Sequence, residues 1–246
     1  MNKQVVLVTG GGGGIGSAIA RRLAEAGARV VITYNSNAEK AQRALESLAG
    51  DGHWAVQASV TDSARMQGLS AEVEEKFGRI DLLVNNAGIT IPVAHNDLDG
   101  LSDEWIDRIF ATNWRGAFAT IRAFNALLQA GEGGTVINLS SVAGQTGVGS
   151  NVAYCASKAA MDSMTRSLAR ALAPKVRVLS VSPGWVLGEY AKRFDPAYLK
   201  EQAMGTPLQR LATPEDVADA VWAAHTALTY TTGIIVPVDG GRPLGV

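Results

Sequence analysis

The sequence has little of the residue types that build disulfides and metal sites. Cys155 is the only cysteine in the 246 residues, so no intrachain disulfide can form. Only three histidines occur, His53, His95 and His225, and they lie too far apart along the chain to resemble a metal-ligand motif. We therefore predict a protein without a structural metal.

A charge excess of one sign and long apolar runs are also lacking. The formal net charge is -1, and the basic residues are scattered rather than gathered into the stripe that nucleic acid or an anionic membrane requires. No apolar run approaches the ~18 residues of a membrane-spanning helix, and the first residues lead into a strand without a signal region. We expect a cytoplasmic protein that binds small molecules and copies of itself, and neither nucleic acid nor membranes.

Glycine is concentrated at one point near the start of the chain. A β-branched run at residues 5–8 predicts a buried strand, five consecutive glycines follow it, and an amphipathic helix begins behind them. Glycines let a pyrophosphate approach backbone N–H groups, and a helix N-terminus adds a partial positive charge. A flexible glycine loop is the alternative, but the flanking strand and helix favour dinucleotide binding. The candidate contacts in this turn are Gly10, Gly12, Gly13, Gly14, Ile15 and Gly16.

Strands alternate with helices along most of the chain. The hydrophobic pattern predicts strands at residues 5–8, 28–34, 54–59, 80–85, 135–140, 176–182 and 234–238. After the first helix it predicts further helices at residues 38–48, 64–77, 101–130, 152–173 and 214–228. This alternation predicts a single Rossmann-like, doubly wound α/β domain over residues 1–246, with a parallel sheet of about seven strands, helices on both faces and ligands beyond the strands' carboxyl ends. Residues 185–207 break the pattern, which predicts a substrate lid.

Three side chains form a candidate catalytic group. Tyr154 and Lys158 are four residues apart on one predicted helix and share a face, and Ser141 follows a strand on the ligand side. A tyrosine, with its ordinary pKa of about 10, exchanges protons at neutral pH only if a neighbouring cation favours the phenolate. Lys158 is placed to supply that cation. The spacing alone is a weak indication, because a tyrosine packed beneath a lysine stem produces it as well.

A series of further motifs accompanies this group. They are Thr9-Gly10-x-x-x-Gly14-x-Gly16, Asn85-Asn86-Ala87-Gly88, Asn113, Ser140-Ser141, Tyr154-x-x-x-Lys158, Pro183-Gly184 and Val238-Asp239-Gly240-Gly241. With these motifs in this order, the whole chain resembles the compact form of the short-chain dehydrogenase/reductase family, and is similar to its 3-oxoacyl-(acyl-carrier-protein) reductase-like members.

The resemblance implies a role for each polar residue of the candidate group. Tyr154 would be the general acid or base, and Ser141 would hydrogen-bond the reacting oxygen. Lys158 would hold the nicotinamide ribose while lowering the pKa of Tyr154, and Asn113 would anchor a water. The implied activity is hydride transfer between a nicotinamide cofactor and a carbonyl compound or secondary alcohol.

The end of the second predicted strand indicates which cofactor is preferred. Many NAD binders have an acidic residue there that binds the ribose hydroxyls, whereas this chain has Tyr34, Asn35 and Ser36. Because no carboxylate would repel a 2'-phosphate, we expect NADP(H) to be preferred, with NAD(H) as the second cofactor. The other contacts implied by the resemblance are Ser59, Val60, Asn86, Ala87, Gly88, Tyr154, Lys158, Pro183, Gly184 and Val186.

The residues expected around the substrate are mostly apolar or aromatic. The candidates are His95, Trp114, Gln145, Thr146, Trp185, Val186, Tyr190 and Phe194, although a solvated loop position is the alternative for His95. This character favours a hydrophobic or aromatic carbonyl compound over a free sugar.

Two other functions remain open. Reduction of 3-oxoacyl groups on an acidic carrier protein would require basic residues around the cleft, and residues 129–134 contain none, although Lys175 and Arg177 follow the next helix. A cofactor-binding regulator without turnover is the other alternative, but the intact catalytic residues argue against it. Since the family pairs the helices at 101–130 and 152–173 across a two-fold axis, we expect a homotetramer.

Overall fold

The computed structural model describes residues 1, 3–188 and 191–242. Its centre is a 7-stranded sheet in the order β3-β2-β1-β4-β5-β6-β7, in which all neighbouring strands run parallel. The strands are Val5–Val8 (β1), Arg29–Tyr34 (β2), Trp54–Gln57 (β3), Leu82–Asn85 (β4), Gly134–Leu139 (β5), Val176–Pro183 (β6) and Ile235–Val238 (β7). The α/β fold predicted from the sequence is therefore confirmed. The strand order reverses between β1 and β4, where such sheets bind their ligands.

Helices connect these strands. They are Gly14–Glu25 (α1), Ala38–Glu46 (α2), Ser63–Phe77 (α3), Asp103–Phe110 (α4), Ala117–Gln129 (α5), Ala143–Thr146 (α6), Val152–Ala171 (α7), Pro196–Met204 (α8) and Pro214–Thr226 (α9). A π-helical turn, Ala111–Gly116, joins α4 to α5, and a short 3-10 turn, Ala191–Arg193, precedes α8. Within the described residues, no helix combines the length and apolar character needed to cross a bilayer.

Two apolar clusters cover the two faces of the sheet. One packs α1, α2 and α9 against the strands through residues such as Ile19 and Val221. The other packs α3, α5 and α7 through Met66, Phe124 and Met161. Successive residues of β1 alternate between the two clusters and are all buried, as expected for a central strand covered on both faces.

The structure corrects two predictions about the helices. Residues 101–130 do not form one uninterrupted α-helix, because the π-helical turn lies in the middle and accommodates Asn113 in the interior. The 185–207 segment is also more regular than predicted, since it contains α8 and the 3-10 turn. Asp195 begins α8 by accepting a hydrogen bond from the Ala197 N–H, and Pro196 occupies the first turn.

Candidate active site

The carboxyl ends of the strands open onto one large cleft of about 1500 Å³. Its wall brings Ser141, Tyr154 and Lys158 together with the glycine turn after β1, as the sequence predicted. The other predicted cofactor contacts that line it are Gly10, Gly13, Gly14, Ile15, Asn35, Ser59, Val60, Asn86, Ala87, Gly88, Pro183, Gly184 and Val186. The proposed cofactor and catalytic residues thus share one space.

The glycine turn presents open backbone to this cleft. A Cβ atom built on Gly13 or Gly14 would meet nothing within 4 Å, so the space in front of these residues is free. By contrast, a Cβ on Gly11 would lie 2.6 Å from the side chain of Ile32, so that position needs glycine for packing. Since Gly13 has no side chain to cap α1, the first N–H groups of this helix can bind an anion. The turn therefore fits the pyrophosphate of a dinucleotide.

Side-chain hydrogen bonds join this turn to the end of β4. Asn86 Nδ2 donates to the backbone oxygens of Thr9 and Gly10, at 2.9 and 3.1 Å. The Thr9 hydroxyl oxygen accepts from the N–H groups of Asn86 and Ala87, at 3.0 and 3.1 Å. These contacts hold two walls of the cleft in one arrangement.

Two glycines of the turn have a packing role instead of the predicted cofactor contact. A Cβ on Gly16 would lie 2.4 Å from the Gly10 oxygen, and one on Gly12 would lie 3.2 Å from the backbone of Ala41 in α2. Neither residue lines the cleft. The reason is that the chain turns back on itself here, so that Gly12 and Gly16 face packed backbone while Gly13 and Gly14 face the cleft.

The end of β2 also differs from the prediction. Tyr34 packs against the apolar cluster beside α2 and lines a separate, shallow depression with Gln42, and Ser36 is exposed outside the cleft. Thr33 and Asn35 line the cleft instead. Alternate residues of a strand point to opposite faces, and the sequence alone did not show which face the cofactor would use.

Asn113 is fully buried and lies in the π-helical turn. Its Oδ1 accepts from the Ile89 N–H at 2.8 Å, and its Nδ2 donates to the Ile89 oxygen and the Ser157 hydroxyl, both at 3.1 Å. Ser157 in turn donates to the backbone oxygen of Tyr154 at 2.8 Å. The amide thus joins the π-helical turn to Ile89 and to Ser157 of α7, and Asn113 does not itself line the cleft.

The first turn of α7 sets the position of Tyr154. Asn151 caps this helix, since its Oδ1 accepts from the Tyr154 N–H at 2.7 Å. The same side chain donates to the Ile91 oxygen at 2.8 Å, which joins the start of α7 to the segment after β4. The backbone of Tyr154 is therefore held from both sides.

Lys158 lies one turn further along α7 and is 5% exposed. Its Nζ donates to the Leu139 oxygen at 2.6 Å and lies 5.7 Å from the centroid of the Tyr154 ring. Burial lowers the pKa of Lys158 to about 8, while the charge of Asp162 opposes this change. A Cβ on Gly88 would lie 3.8 Å from Nζ, so this glycine leaves room beside the ammonium group. Lys158 is a buried cation close to the phenol, as its proposed role requires.

Ser141 stands where β5 ends and the short helix α6 begins. Its Oγ accepts from the Ala143 N–H at 3.2 Å, a contact that does not use the proton of the hydroxyl. The Val142 N–H donates to the Pro183 oxygen at 3.1 Å, which fixes this turn against the end of β6. Ser141 can therefore donate a hydrogen bond to an oxygen atom in the cleft.

The predicted substrate residues have different positions. Trp185 and His95 line the cleft, and His95 Nε2 lies 3.1 Å from the Gly149 oxygen. Gln145 is exposed on α6 and does not line the cleft, because the short helix turns it outward. Tyr190 lies outside the described residues. The prediction for Gln145 is therefore not supported by its position.

Val186 and Phe194 line the cleft as predicted, whereas Trp114 and Thr146 do not. The cleft residues that were not predicted from the sequence include Tyr198, Gln202 and Arg242. Phe194 and Tyr198 pack against Trp185, with ring centroids 5.1 and 5.8 Å from the indole. Gln202 and Arg242 line the cleft beside them. The local pattern gives no signal for Gln202, and Arg242 was recognisable only as the residue after the last glycine motif.

Comparisons with known proteins agree with this geometry. Residues 11–242 match a family model described as enoyl-(acyl carrier protein) reductase. The chain is 37% identical to a granaticin polyketide synthase protein of Streptomyces violaceoruber, named as a ketoacyl reductase, over 98% of this chain and 96% of that one. It is 34% identical to 3-oxoacyl-(acyl-carrier-protein) reductase FabG of Staphylococcus aureus, over 96% of both. A solved Brucella melitensis structure, titled as a short-chain dehydrogenase/reductase SDR:Glucose/ribitol dehydrogenase, matches with a TM-score of 0.92 and 31% identity, covering 100% of this chain and 98% of the other.

The chain belongs to the short-chain dehydrogenase/reductase family. This membership confirms the resemblance predicted from the motifs. As a short-chain dehydrogenase/reductase, the protein is an oxidoreductase that acts on carbonyl or CH–OH groups, and the family implies a nicotinamide cofactor.

Proposed function

We propose that this short-chain dehydrogenase/reductase reduces ketones with NADPH, and oxidises the corresponding secondary alcohols in the reverse direction. The observation that carries the proposal is the buried Lys158 ammonium group, 5.7 Å from the ring of Tyr154, in the same cleft as the open glycine turn. A cation there favours the phenolate, so that Tyr154 can exchange a proton near neutral pH.

Three side chains perform the proton chemistry in this mechanism. When bound, the nicotinamide supplies a hydride to the carbonyl carbon. Tyr154 gives its hydroxyl proton to the carbonyl oxygen, which completes the alcohol, and Lys158 stabilises the phenolate left behind. Ser141 donates a hydrogen bond to the same oxygen while negative charge develops on it.

The cofactor would be held by backbone and small residues. Gly13, Gly14 and Ile15 would hold the pyrophosphate at the N-terminus of α1, because their open backbone leaves the required space. Asn86 and its neighbours would line the adenosine side, and Lys158 would contact the nicotinamide ribose.

The preference for NADPH is supported by the absence of a carboxylate at the cofactor end of the cleft. Thr33 of β2 and Asn35 just after this strand line the cleft, and no Asp or Glu among the described residues does. A neutral site accepts the 2'-phosphate, whereas the carboxylate typical of NAD enzymes would repel it.

A second candidate function is reduction of 3-oxoacyl groups carried by an acyl carrier protein. The similarity to FabG of Staphylococcus aureus favours it. The lack of basic residues in 129–134 opposes it, although Lys175 Nζ donates to the Gly131 oxygen of this segment at 3.4 Å. Equal kcat/KM for a carrier-bound substrate and a small thioester analogue would exclude a dedicated carrier reductase.

Assembly and location complete the proposal. We infer that the protein is a homotetramer in the cytoplasm and that each chain forms a single domain. Helices α4, α5 and α7 would lie at the contacts between copies, and the 185–207 segment would be a substrate lid. Light scattering at micromolar concentration tests the assembly, and a monomer would contradict it.

The decisive experiment is a panel of ketones and secondary alcohols assayed by nicotinamide absorbance with both cofactors. We expect kcat/KM to be about tenfold higher with NADPH than with NADH, equivalent to ~1.4 kcal/mol. Asn35→Asp should reduce or reverse this preference, because it introduces a negative charge into the cleft. The matched control is Asn37→Asp on the exposed start of α2, which should preserve the preference. Absence of turnover with every compound would instead support a regulator.

A further inference from the structure

One arginine of the cleft has no part in the mechanism described above. Arg242 follows β7 and the Gly240-Gly241 turn, and its Nη2 donates to Gln202 Oε1 on α8 at 2.6 Å. Both side chains line the same cleft as Tyr154. A residue at the end of the chain therefore reaches the 185–207 segment, forty positions away from its hydrogen-bond partner.

The guanidinium group of Arg242 has no counter-charge among the residues that the structure describes. Its Nη1 is buried and donates no hydrogen bond to any described residue, and the described carboxylates form no ion pair with it. Some other arginines form ion pairs, such as Arg65 with Glu72 and Arg210 with Asp216. An arginine remains protonated in proteins, so a buried donor without an acceptor is costly. Because Arg242 also lines the cleft, a ligand with anionic oxygens can supply a counter-charge there.

The charge of the cleft also favours an anionic ligand. The protein has a formal net charge of -1, yet the described wall contains Arg108, Lys158, Arg193 and Arg242 and no carboxylate. Such a cleft attracts anions. The proposed cofactor phosphates lie at the glycine turn, whereas Arg242 contacts α8 on the side of the 185–207 segment.

The surroundings of Arg242 indicate the rest of the ligand. Gln202 and Tyr198 are four residues apart on α8, so they share a helix face, and both line the cleft. Tyr198 stacks with Phe194, with ring centroids 5.4 Å apart, and both rings contact Trp185. A cation next to three aromatic rings suits a ligand with an apolar body and an anionic end.

We propose that Arg242, oriented by Gln202, binds a carboxylate of the substrate, and that the natural substrate is therefore an oxo acid or hydroxy acid with an apolar or aromatic body. The inference rests on the proposed ketone reduction and adds the substrate class. A planar guanidinium group with free N–H groups matches a carboxylate in geometry. Gln202 is a positioning residue, because it holds the guanidinium through a neutral oxygen and leaves the charge for the ligand.

The test compares an aromatic oxo acid with its methyl ester as substrates, with NADPH at saturation. The wild-type protein should favour the acid, and Arg242→Gln should lower the acid-to-ester ratio of kcat/KM by roughly 10- to 100-fold, the range for loss of a hydrogen bond to a charged group. Arg242→Lys should retain part of the ratio, because it keeps the charge but not the planar group. Arg21→Gln, on the exposed side of α1, is the matched control and should preserve the ratio.

Each other outcome has a definite meaning. An unchanged ratio in Arg242→Gln overturns the proposal, while turnover of the ester would still support ketone reduction. If neither compound is reduced, titration calorimetry of the oxo acid into wild-type and Arg242→Gln protein, both with NADPH, decides the subsite independently of turnover. If Arg242→Gln loses as much affinity for NADPH as for the oxo acid, the arginine binds a cofactor phosphate, and the proposed substrate carboxylate site is rejected. A preference for an oxo phosphate ester over the oxo acid would likewise reject it.

Discussion

The catalytic floor and the 185–207 segment border the same cleft but are held in different ways. The floor comprises Ser141, Tyr154 and Lys158, supported by the fully buried Asn113, which does not line the cleft. Their positions depend on hydrogen bonds that involve the backbone of β5, α6, α7 and the segment after β4. The 185–207 segment is held by contacts between aromatic rings, by backbone hydrogen bonds of Trp185 and Leu187 to Ala212 and by the hydrogen bond from Arg242 to Gln202. Its helix α8 has no buried residue.

We infer that the floor serves proton transfer and that the 185–207 segment serves substrate recognition. Buried hydrogen bonds fix the proton donor and the cation, since leaving any of these polar groups without a partner costs free energy. Ring contacts tolerate replacement by other apolar side chains at a smaller cost. We therefore expect substitutions in the floor to have larger effects than substitutions on the side of the 185–207 segment. Four predictions test this contrast, beginning with the largest effect.

Removal of one hydroxyl group should have unequal consequences in the two regions. Tyr154→Phe removes the proposed proton donor while keeping the ring, so kcat should fall ~100-fold or more. Tyr198→Phe makes the same change on α8 and should lower kcat/KM by less than about tenfold, the limit for one ordinary hydrogen bond. Turnover and NADPH affinity, followed by fluorescence, should be measured for both. If Tyr154→Phe retains more than a tenth of the wild-type kcat, Tyr154 is not the proton donor.

Asn113→Ala should destabilise the protein more than any single change on α8. It leaves the backbone groups of Ile89 and the Ser157 hydroxyl without their partner in a buried site, at about 1–3 kcal/mol for each such group. The melting temperature should fall by at least about 6 °C, since three such groups cost about 3 kcal/mol or more and 1 kcal/mol corresponds to about 2–4 °C in a chain of this length. Calorimetry measures the shift, and Asn37→Ala at the exposed cap of α2 is the control. A shift as small as that of the control would contradict the contact network.

The buried ammonium group of Lys158 in the floor predicts that cofactor binding and turnover depend on pH. Because burial lowers the pKa of Lys158 to about 8, the free protein should lose this positive charge above that pH. NADPH affinity and kcat/KM for reduction should then decline from pH 8 upward, since both use the charged form. Titration of wild-type and Lys158→Met protein between pH 6 and 10 tests this expectation. The variant should bind weakly at every pH, and an identical decline in it would assign the change to another group.

The smallest effect on activity and stability is expected for Phe194→Leu, which is compared with Phe124→Leu in the core. Phe194→Leu removes ring contacts worth about 0.5–1.5 kcal/mol, so KM should change by less than about tenfold while kcat and stability vary little. Phe124→Leu makes the same change in the fully buried core between α5 and the sheet. It should lower the melting temperature more than Phe194→Leu, because the space that it leaves cannot be filled by solvent or side-chain movement. Equal losses of stability would contradict the comparison between the two regions.

Much of the fold and of the proton-transfer group could be predicted from local sequence. Strands such as β1 and β5 are short apolar runs, and the glycine turn marks the start of α1 by composition alone. The sequence also located Ser141, Tyr154 and Lys158 in one cleft. It could do so because the residues follow strand ends or share one helix face, and parallel strands present their carboxyl ends at the same edge.

Other features were decided only when distant segments packed together. The π-helical turn places Asn113 against Ile89, 24 positions earlier, and the face of β2 that meets the cleft excludes Tyr34. Arg242 reaches Gln202 across forty positions. Sequence patterns determine which side chains are buried in a helix or strand, since burial follows the local period. They do not determine which partner a polar side chain meets, because that partner is chosen by the relative placement of whole elements.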